Sequence, residues 1–197
     1  METKTIFFVG KPGCGKGTQA KLLGEETGWP IFISGALFRA LEAEDTPVGR
    51  RLKKENEAGF LSPHWFAMYL YLKSLFAIPE GASAIFDGFN RKIEEAELNI
   101  SSLAWLGRPF TVINVIISDE EVGRRLEGRR KVSGRADDHA VEERLKEYYE
   151  FTVKAIALFR DVGALIDIDG ERSVEAIAVD IKKALELPPR EDSGPAA

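Results

Sequence analysis

The amino-acid sequence predicts a three-layer α/β/α fold in which a five-stranded parallel sheet lies between two layers of helices. Five short runs of β-branched and aromatic residues are nearly continuous rather than alternating, as in strands buried on both faces. Helical patterns with short connections separate these runs, which indicates a doubly wound sheet. A glycine-rich segment follows the first run directly. The predicted strands are 5–9, 31–33, 84–86, 111–117 and 164–168.

Helices are predicted from the apolar periodicity between the strands. They cover residues 15–27, 36–58 in two pieces, 63–77, 91–105, 119–129, 138–160 and 174–186. Within 63–77, Trp65, Phe66, Tyr69 and Leu72 recur at helical spacing, which predicts that they pack into the core. Ligands of such folds bind at the carboxyl ends of the strands, which is where the glycine-rich segment falls.

The length of 197 residues favours one core with small inserted segments. We interpret residues 1–187 as a single domain and 188–197, PPREDSGPAA, as a disordered tail. Prolines and glycines divide the insert into two short helices, and a basic run forms a lid. The predicted boundaries are core 1–33, 63–129 and 138–187, insert 34–62 and lid 130–137.

Composition excludes several classes of function. The net charge of −5 argues against a general binder of nucleic acids or membrane surfaces. Cys14 is the single cysteine, so neither an internal disulfide nor a multi-cysteine zinc site is possible. The N-terminal apolar run is too short for a signal peptide, and no run is long enough to span a membrane. We therefore expect a cytoplasmic enzyme, monomeric and without nucleic-acid or membrane partners.

The segment KTIFFVGKPGCGKGT (4–18) has the spacing of a phosphate-binding loop, with Gly10 and Gly15 five residues apart and Lys16 next. Backbone N–H groups and the positive end of the following helix would face a phosphate. Lys16 would add a full charge near the β- and γ-phosphates. Gly17 separates this lysine from Thr18, whereas the strict motif has Ser or Thr directly after the lysine.

Asp87 ends the third predicted strand in the sequence AIFDGFNR (84–91). This position places a carboxylate beside the phosphate loop. A Mg²⁺ ion bridging two phosphates needs such a group, usually through water, because Mg²⁺ keeps much of its hydration shell. We predict water-mediated Mg²⁺ near Thr18 and Asp87, although a helix cap or turn is the alternative role for Asp87.

A set of arginines is the third candidate feature. Fixed guanidinium groups suit phosphoryl transfer between two nucleotides, because catalysis there is mostly positioning and electrostatic stabilisation. The basic run GRRLEGRRKVSGR (123–135) is interpreted as a lid that excludes water; a solvated basic face is the alternative. The set is Arg39, Arg91, Arg125, Arg129, Arg135 and Arg144.

Four motifs, in order along the chain, resemble those of the adenylate kinase family of nucleoside monophosphate kinases. They are GKPGCGKGTQ (10–19), SGALFR (34–39), FDGFNR (86–91) and GRADD (134–138) followed by Arg144. The similarity runs from about residue 5 to 187 and indicates the short-lid type. It implies a P-loop core with a monophosphate-binding insert, and a reaction in which ATP and AMP give two ADP.

The resemblance also implies roles for individual residues. Lys16, Arg91, Arg129, Arg135, Arg144 and Asp87 would be catalytic. ATP would contact Gly13, Cys14, Gly15, Lys16, Gly17, Thr18, Arg125, Arg129 and Arg172, with Arg125 packed on the base and the main chain of 170–172 beside the adenine. The acceptor monophosphate would contact Ser34, Arg39, Phe60, Leu61, Ser62, Gly88, Arg91, Glu95, Arg135 and Arg144.

Three positions depart from the family pattern. Ala36 stands where the family typically has Asp, which removes a polar support. Asn90 replaces a proline that often follows a cis peptide bond; because a cis bond before a non-proline residue costs about 3–4 kcal/mol, we expect a trans peptide. Glu95 replaces a Gln that reads adenine, and a carboxylate offers only acceptors.

The Glu95 substitution leaves three functions open. The first is an adenylate kinase in which Glu95 points to solvent or accepts only the N6 amine of adenine. The second is a kinase with preference shifted toward GMP, CMP or UMP, because guanine presents two donors to a carboxylate. The third is a nucleotide-binding protein with little turnover, which retention of Lys16 and the arginines disfavours.

Overall fold

The computed structural model describes residues 3–58, 60, 62–133 and 141–187, and the side chains of all of these except 129–133. In these residues five parallel strands form one sheet in the order β2-β3-β1-β4-β5. The strands are β1 (Thr5–Gly10), β2 (Ile31–Ile33), β3 (Ala84–Asp87), β4 (Phe110–Ile116) and β5 (Leu165–Asp169). The predicted α/β class and parallel sheet are confirmed, and each strand end lies within one residue of its predicted position.

Helices connect the strands and cover both faces of the sheet. They are α1 (Lys16–Thr27), α2 (Ser34–Glu42), α3 (Pro47–Glu57), α4 (His64–Phe76), α5 (Ile93–Trp105), α6 (Asp119–Ser133), α7 (Val141–Glu147), a π-helix (Tyr148–Thr152), α8 (Val153–Asp161) and α9 (Val174–Ala184). Most helix ends within the described residues lie within two residues of their predicted positions. The larger differences are that α6 continues four residues beyond 129 and that the helix predicted over 138–160 contains a π-helical turn.

The core forms two apolar clusters, one on each face of the sheet. Because successive strand residues point to opposite faces, Ile6 and Phe8 of β1 join one cluster while Phe7 and Val9 join the other. Phe7 stacks on Phe86 of β3, with ring centroids 5.0 Å apart. This burial on both faces accounts for the continuous apolar runs.

Helix α4 corrects the prediction about its aromatic residues. Trp65 and Tyr69 are 62% and 54% exposed, and α4 instead buries Ala67, Leu70 and Tyr71. Almost every residue of this helix is apolar, so periodicity alone does not select the buried face.

The predicted tail (188–197) and the second half of the predicted lid (134–137) lie outside the described residues. No helix within the described ranges is long and apolar enough to cross a membrane.

Candidate functional site

A cleft of about 840 Å³ opens at the carboxyl ends of the strands. Its volume is typical of small-molecule sites. The glycine-rich loop forms its floor, and α2, the 87–91 segment, α7 and the start of α9 surround it. The predicted site residues that line it are Gly13, Cys14, Gly15, Lys16, Gly17, Thr18, Ser34, Arg39, Phe60, Ser62, Asp87, Gly88, Arg91, Glu95, Arg125, Arg144 and Arg172.

The Lys16 side chain folds back over the phosphate loop. Its Nζ donates to the carbonyl oxygens of Lys11 and Gly10 at 3.1 and 3.3 Å and lies 3.8 Å from Cys14 Sγ. Cys14 is only 1% exposed and belongs to the core under the loop. The ammonium group is therefore held inside the cradle that the sequence predicts for phosphate.

Gly17 brings the loop against Asp87. A β-carbon at position 17 would lie 3.1 Å from Asp87 Oδ2, closer than most β-carbon contacts. Glycine between Lys16 and Thr18 thus lets the first turn of α1 approach the carboxylate at the end of β3. This close approach explains the one-residue delay before Thr18.

The same neighbourhood fits Mg²⁺. A buried carboxylate, Asp87, lies in the cleft with Thr18. Three or more His, Cys, Asp or Glu side chains do not cluster as metal ligands anywhere in the described part of the chain. A single carboxylate suits Mg²⁺, which retains waters and takes its other ligands from phosphates.

Arg125 joins the phosphate loop to the segment after β5. Its Nη1 donates to the Cys14 carbonyl at 3.1 Å and its Nη2 to the Gly170 carbonyl at 2.7 Å. Its Nε donates to Glu121 Oε1 at 2.5 Å. These three bonds fix the plane of the guanidinium group at the edge of the cleft.

Glu121 does not line the cleft but holds Arg125 at its edge, a role that was not predicted from the sequence. Hydrogen bonds from Arg124 and Arg125 lower its pKa to about 2. The spacing of four residues between Glu121 and Arg125 on one helix was the available signal.

Other residues predicted to contact ATP or the acceptor monophosphate lie around the rim of the cleft. Arg39 and Phe60 are exposed, and Arg144 is half-buried on α7. Arg172 is exposed and pairs with Asp180 of α9. The Arg129 side chain and the whole of Arg135 and Leu61 lie outside what the structure describes, so their predicted roles stay predictions.

Gly88, Ser34 and Arg91, three residues predicted to contact the acceptor monophosphate, meet at the cleft. Gly88 has φ +80°, a conformation that glycine tolerates best. A β-carbon there would lie 2.6 Å from Ser34 Oγ and 3.3 Å from Arg91 Nη2. Arg91 Nε donates to the Gly88 carbonyl at 2.9 Å, which turns the guanidinium group back toward the cleft.

Asn90 follows a trans peptide bond, as predicted, since no cis bond occurs among the described residues. It has φ +65°, a left-handed conformation that asparagine adopts more readily than most residues. Asn90 and Asn99 of α5 are each 1% exposed, and the Asn99 amide donates to Asn90 Oδ1. Ala36, the other departure from the family pattern, is exposed on α2.

Glu95 does not point to solvent, which removes one of the two roles that the first alternative left open for it. The residue is 7% exposed, and Oε2 accepts the Arg91 backbone N–H at 2.9 Å. Burial raises the pKa of its carboxyl group, while the Arg91 backbone N–H and the charges of Arg91 and Lys92 oppose this shift. One oxygen of Glu95 is thus already used by the protein backbone.

Three further contacts near the site were not predicted. Thr152 Oγ1, in the π-helix, donates to the Arg91 carbonyl at 3.0 Å. Asp119 Oδ1 binds Lys11 Nζ at 2.5 Å and accepts the Tyr149 hydroxyl at 2.8 Å. All three contacts join residues at least 30 positions apart, so no local sequence pattern indicates them.

Comparisons with known proteins agree with this geometry. The sequence model of the adenylate kinase family matches residues 8–164. The chain is 35% identical over 184 residues to the adenylate kinase of Maricaulis maris, covering 92% of this chain and 98% of that protein. It is 36% identical over 183 residues to adenylate kinase 1 of Synechocystis sp., covering 91% and 96%. It is 33% identical over 185 residues to the adenylate kinase of Thermus thermophilus, covering 92% and 97%. By this extent of similarity the chain belongs to the adenylate kinase family.

Proposed function

We propose that the protein transfers the γ-phosphoryl group of ATP to AMP, reversibly, giving two molecules of ADP. The observation that carries this proposal is the set of side chains that line one cleft. Lys16 and Asp87, which we assign to the phosphoryl donor, line the same cleft as Ser34, Arg39 and Arg91, which we assign to the acceptor. A kinase that transfers a phosphoryl group between two nucleotides must bind two anionic ligands in one cleft, and arginines in that cleft can hold both.

Transfer needs no protein nucleophile. A phosphate oxygen of AMP attacks the γ-phosphorus, and the bond from that phosphorus to the bridging β,γ-oxygen breaks as ADP leaves. Lys16 contacts the transferring phosphoryl group, while Arg91 and Arg144 stabilise negative charge on its equatorial oxygens. Arg129 and Arg135 are proposed to complete this set.

Thr18 and Asp87 would hold the Mg²⁺ that accompanies ATP, Asp87 through water. When bound, the ion neutralises charge on the β- and γ-phosphates. Gly17 maintains the short separation between the loop and Asp87 on which this arrangement depends.

On the donor side, Arg125 offers a fixed planar surface for the adenine of ATP. Its hydrogen bond to the Gly170 carbonyl connects this surface to 170–172, the main chain of which we propose to contact the adenine edge. The remaining contacts of the triphosphate are assigned to Gly13, Cys14 and Gly15 of the loop.

AMP is the proposed acceptor rather than GMP, CMP or UMP. The shifted-base alternative requires the Glu95 carboxylate to meet two donors of a guanine, but one of its oxygens accepts a backbone N–H. The relatives described above are named adenylate kinases. Residues 60–62, including Leu61, are proposed to flank the acceptor.

The insert 34–62 and the lid 130–137 are proposed to close over the two nucleotides and exclude water. We further propose that the protein acts as a cytoplasmic monomer. Support for a monomer is that one chain supplies both sides of the cleft.

A coupled assay for ADP formation tests the function. With Mg²⁺, ATP and AMP we expect turnover, and with ATP alone we expect ADP formation lower by at least about 10³-fold, because water should be excluded. Measuring kcat/KM for AMP, GMP, CMP and UMP then tests the acceptor. Binding of ATP without turnover would instead support the low-turnover alternative, and equal kcat/KM for AMP and GMP would contradict AMP as the preferred acceptor.

A further inference from the structure

We propose that Glu95 and Thr152 are positioning residues that hold the Arg91 backbone from both sides, with the Asn90–Asn99 pair fixing the corner before it. We call Glu95, Asn99 and Thr152 the Arg91 clamp. The inference rests on the proposed role of Arg91 at the acceptor phosphate. It assigns Glu95 a task other than reading the acceptor base.

The first contact of the clamp is at the N–H of Arg91. Glu95 lies in the first turn of α5 and reaches back to accept this N–H at 2.9 Å. A buried carboxylate that accepts this N–H constrains the direction of the chain as it enters Arg91.

The second contact fixes the corner itself. Asn90 is left-handed, and its side-chain oxygen accepts from Asn99, one turn beyond Glu95 on the same face of α5. Both amides are almost completely buried. A buried polar pair needs its mutual hydrogen bond, because losing one partner leaves the other desolvated. The pair therefore favours one backbone path from Gly88 to Arg91.

The third contact is at the carbonyl of Arg91. Thr152 is 6% exposed and donates its hydroxyl to this oxygen at 3.0 Å. It is the last residue of the π-helix, a wider turn that occurs often at functional sites. Since Thr152 belongs to a different element from Glu95, the two sides of the Arg91 peptide are fixed independently.

These contacts matter because the guanidinium group has little freedom left. Its Nε is bound to the Gly88 carbonyl, and its Nη2 lies beside Gly88 and Ser34. Recognition of phosphate by an arginine fork depends on the position of the whole plane. A backbone shift of about 1 Å at Arg91 would therefore reduce transfer substantially.

Pairs of substitutions that remove or keep each hydrogen bond test the clamp. Glu95→Leu and Thr152→Val remove the polar group at similar volume, whereas Glu95→Gln and Thr152→Ser keep an acceptor and a hydroxyl. Glu97→Leu, at an exposed site on α5, is the matched control, and Arg91→Ala reports the role of the arginine. Steady-state kinetics of the full-length enzyme are measured for ATP and AMP, with thermal unfolding recorded for each variant.

The clamp predicts that Glu95→Leu and Thr152→Val lower kcat/KM for AMP by about 10- to 100-fold. The KM for ATP should stay within about two-fold, because the donor contacts are separate. Glu95→Gln and Thr152→Ser should recover most of the loss, and Glu97→Leu should match the unsubstituted enzyme.

The outcomes separate the clamp from the proposed function. If the unsubstituted enzyme does not use AMP, or if Arg91→Ala leaves KM for AMP unchanged, the proposed function or its assignment of Arg91 is wrong. If Arg91→Ala impairs use of AMP but Glu95→Leu and Thr152→Val change only thermal stability, the clamp is wrong. A loss in Glu95→Gln as large as in Glu95→Leu, with altered preference between AMP and GMP, would show instead that the carboxylate reads the base.

Discussion

Single buried or hydrogen-bonded groups determine how the cleft can act. Glu95 accepts the Arg91 backbone N–H beside the proposed acceptor site, and Glu121 accepts from Arg125, the arginine proposed to contact the donor base. Both are carboxylates, but burial raises the pKa of one and arginines lower the pKa of the other. Their different surroundings lead to different predictions.

The stability of the protein should depend on pH through Glu95. The folded-state pKa of Glu95 is raised above its unfolded value of 4.5. At pH values between these two pKa values, the native state therefore binds more protons than the unfolded state. The contribution of this group to the free energy of unfolding is therefore lost as pH rises through the folded-state pKa. The glutamine of Glu95→Gln does not titrate, so this variant does not lose that contribution as pH rises. The melting temperature of Glu95→Gln minus that of the unsubstituted protein should therefore be larger at pH 8 than at pH 4.

Scanning calorimetry at several pH values measures this difference. The groups whose charges act on Glu95 are Arg91 and Lys92. Glu97→Gln, on the exposed part of α5, is the control and should show no comparable trend. A difference between Glu95→Gln and the unsubstituted protein that is independent of pH would contradict the prediction.

Substitution of Glu121 should weaken binding on the donor side only. Glu121→Leu removes the acceptor of Arg125 Nε and frees the guanidinium plane to rotate. We expect KM for ATP to rise by about 3- to 10-fold, because one charge-assisted hydrogen bond that orders the Arg125 guanidinium group is lost. The KM for AMP should not change. Glu120→Leu, at the exposed neighbouring position, is the control; an equal rise in both KM values would place the effect outside the donor site.

At the scale of elements, the insert differs from the core in how it is held. Helix α3 has Thr46 as its N-cap, whose Oγ1 accepts the Gly49 N–H at 3.0 Å, and Pro47 occupies the first helical position. Its most numerous contacts are with α2, the other helix of the insert. Local opening of the insert is therefore expected to be easier than opening of the sheet.

Removing this cap tests that expectation. Thr46→Ala should destabilise α3 by about 1 kcal/mol, which corresponds to roughly five-fold faster amide exchange in residues 47–57. Exchange in β1 and β4 should not change. If exchange accelerates equally in the sheet strands, the insert unfolds together with the core and the proposed division into insert and core loses its support.

Whole-molecule architecture was largely predictable, whereas parts of the site were not. The five strands are continuous apolar runs because both of their faces are buried, and this signal is local in the sequence. The exposed side of α4 could not be predicted, because a helix that is apolar all round lacks a preferred face. The phosphate loop, being one short segment, could be read directly.

The contacts of Arg91 required the folded chain. Thr152 lies 61 positions away, and its hydroxyl meets the Arg91 carbonyl only because α8 packs on α5. Glu95 could be identified as unusual from its residue type, but its partner is a backbone N–H, which leaves no trace in side-chain patterns. Sequence therefore predicts which segments form the cleft better than it predicts what each polar atom binds.

The architecture also predicts that loss of activity and loss of fold can be separated. Lys16 bonds to two loop carbonyl oxygens at the cleft surface and is absent from both apolar clusters. Lys16→Ala should lower kcat by about 10³-fold or more, because the positive charge that contacts the transferring phosphoryl group is lost. The circular dichroism spectrum and the melting temperature should remain close to those of the unsubstituted protein. A near-normal kcat would remove Lys16 from the mechanism.

The π-helix limits how the length of the chain can vary at this point. Arg144 lies in α7, which runs directly into the π-helix (Tyr148–Thr152), and Thr152 is the last residue of that π-helix. The two residues therefore belong to one continuous helical segment. A π-helical turn holds about one residue more than the α-helical turn that it replaces, so deleting a single residue within 148–152 would restore ordinary α-helical spacing and leave its two ends facing nearly as before. Deleting a residue from the α-helical segment 145–147 would instead rotate Arg144 by about 100° relative to Thr152, and the two residues could no longer both line the cleft. Related chains should therefore tolerate the loss of one residue within 148–152 more readily than within 145–147.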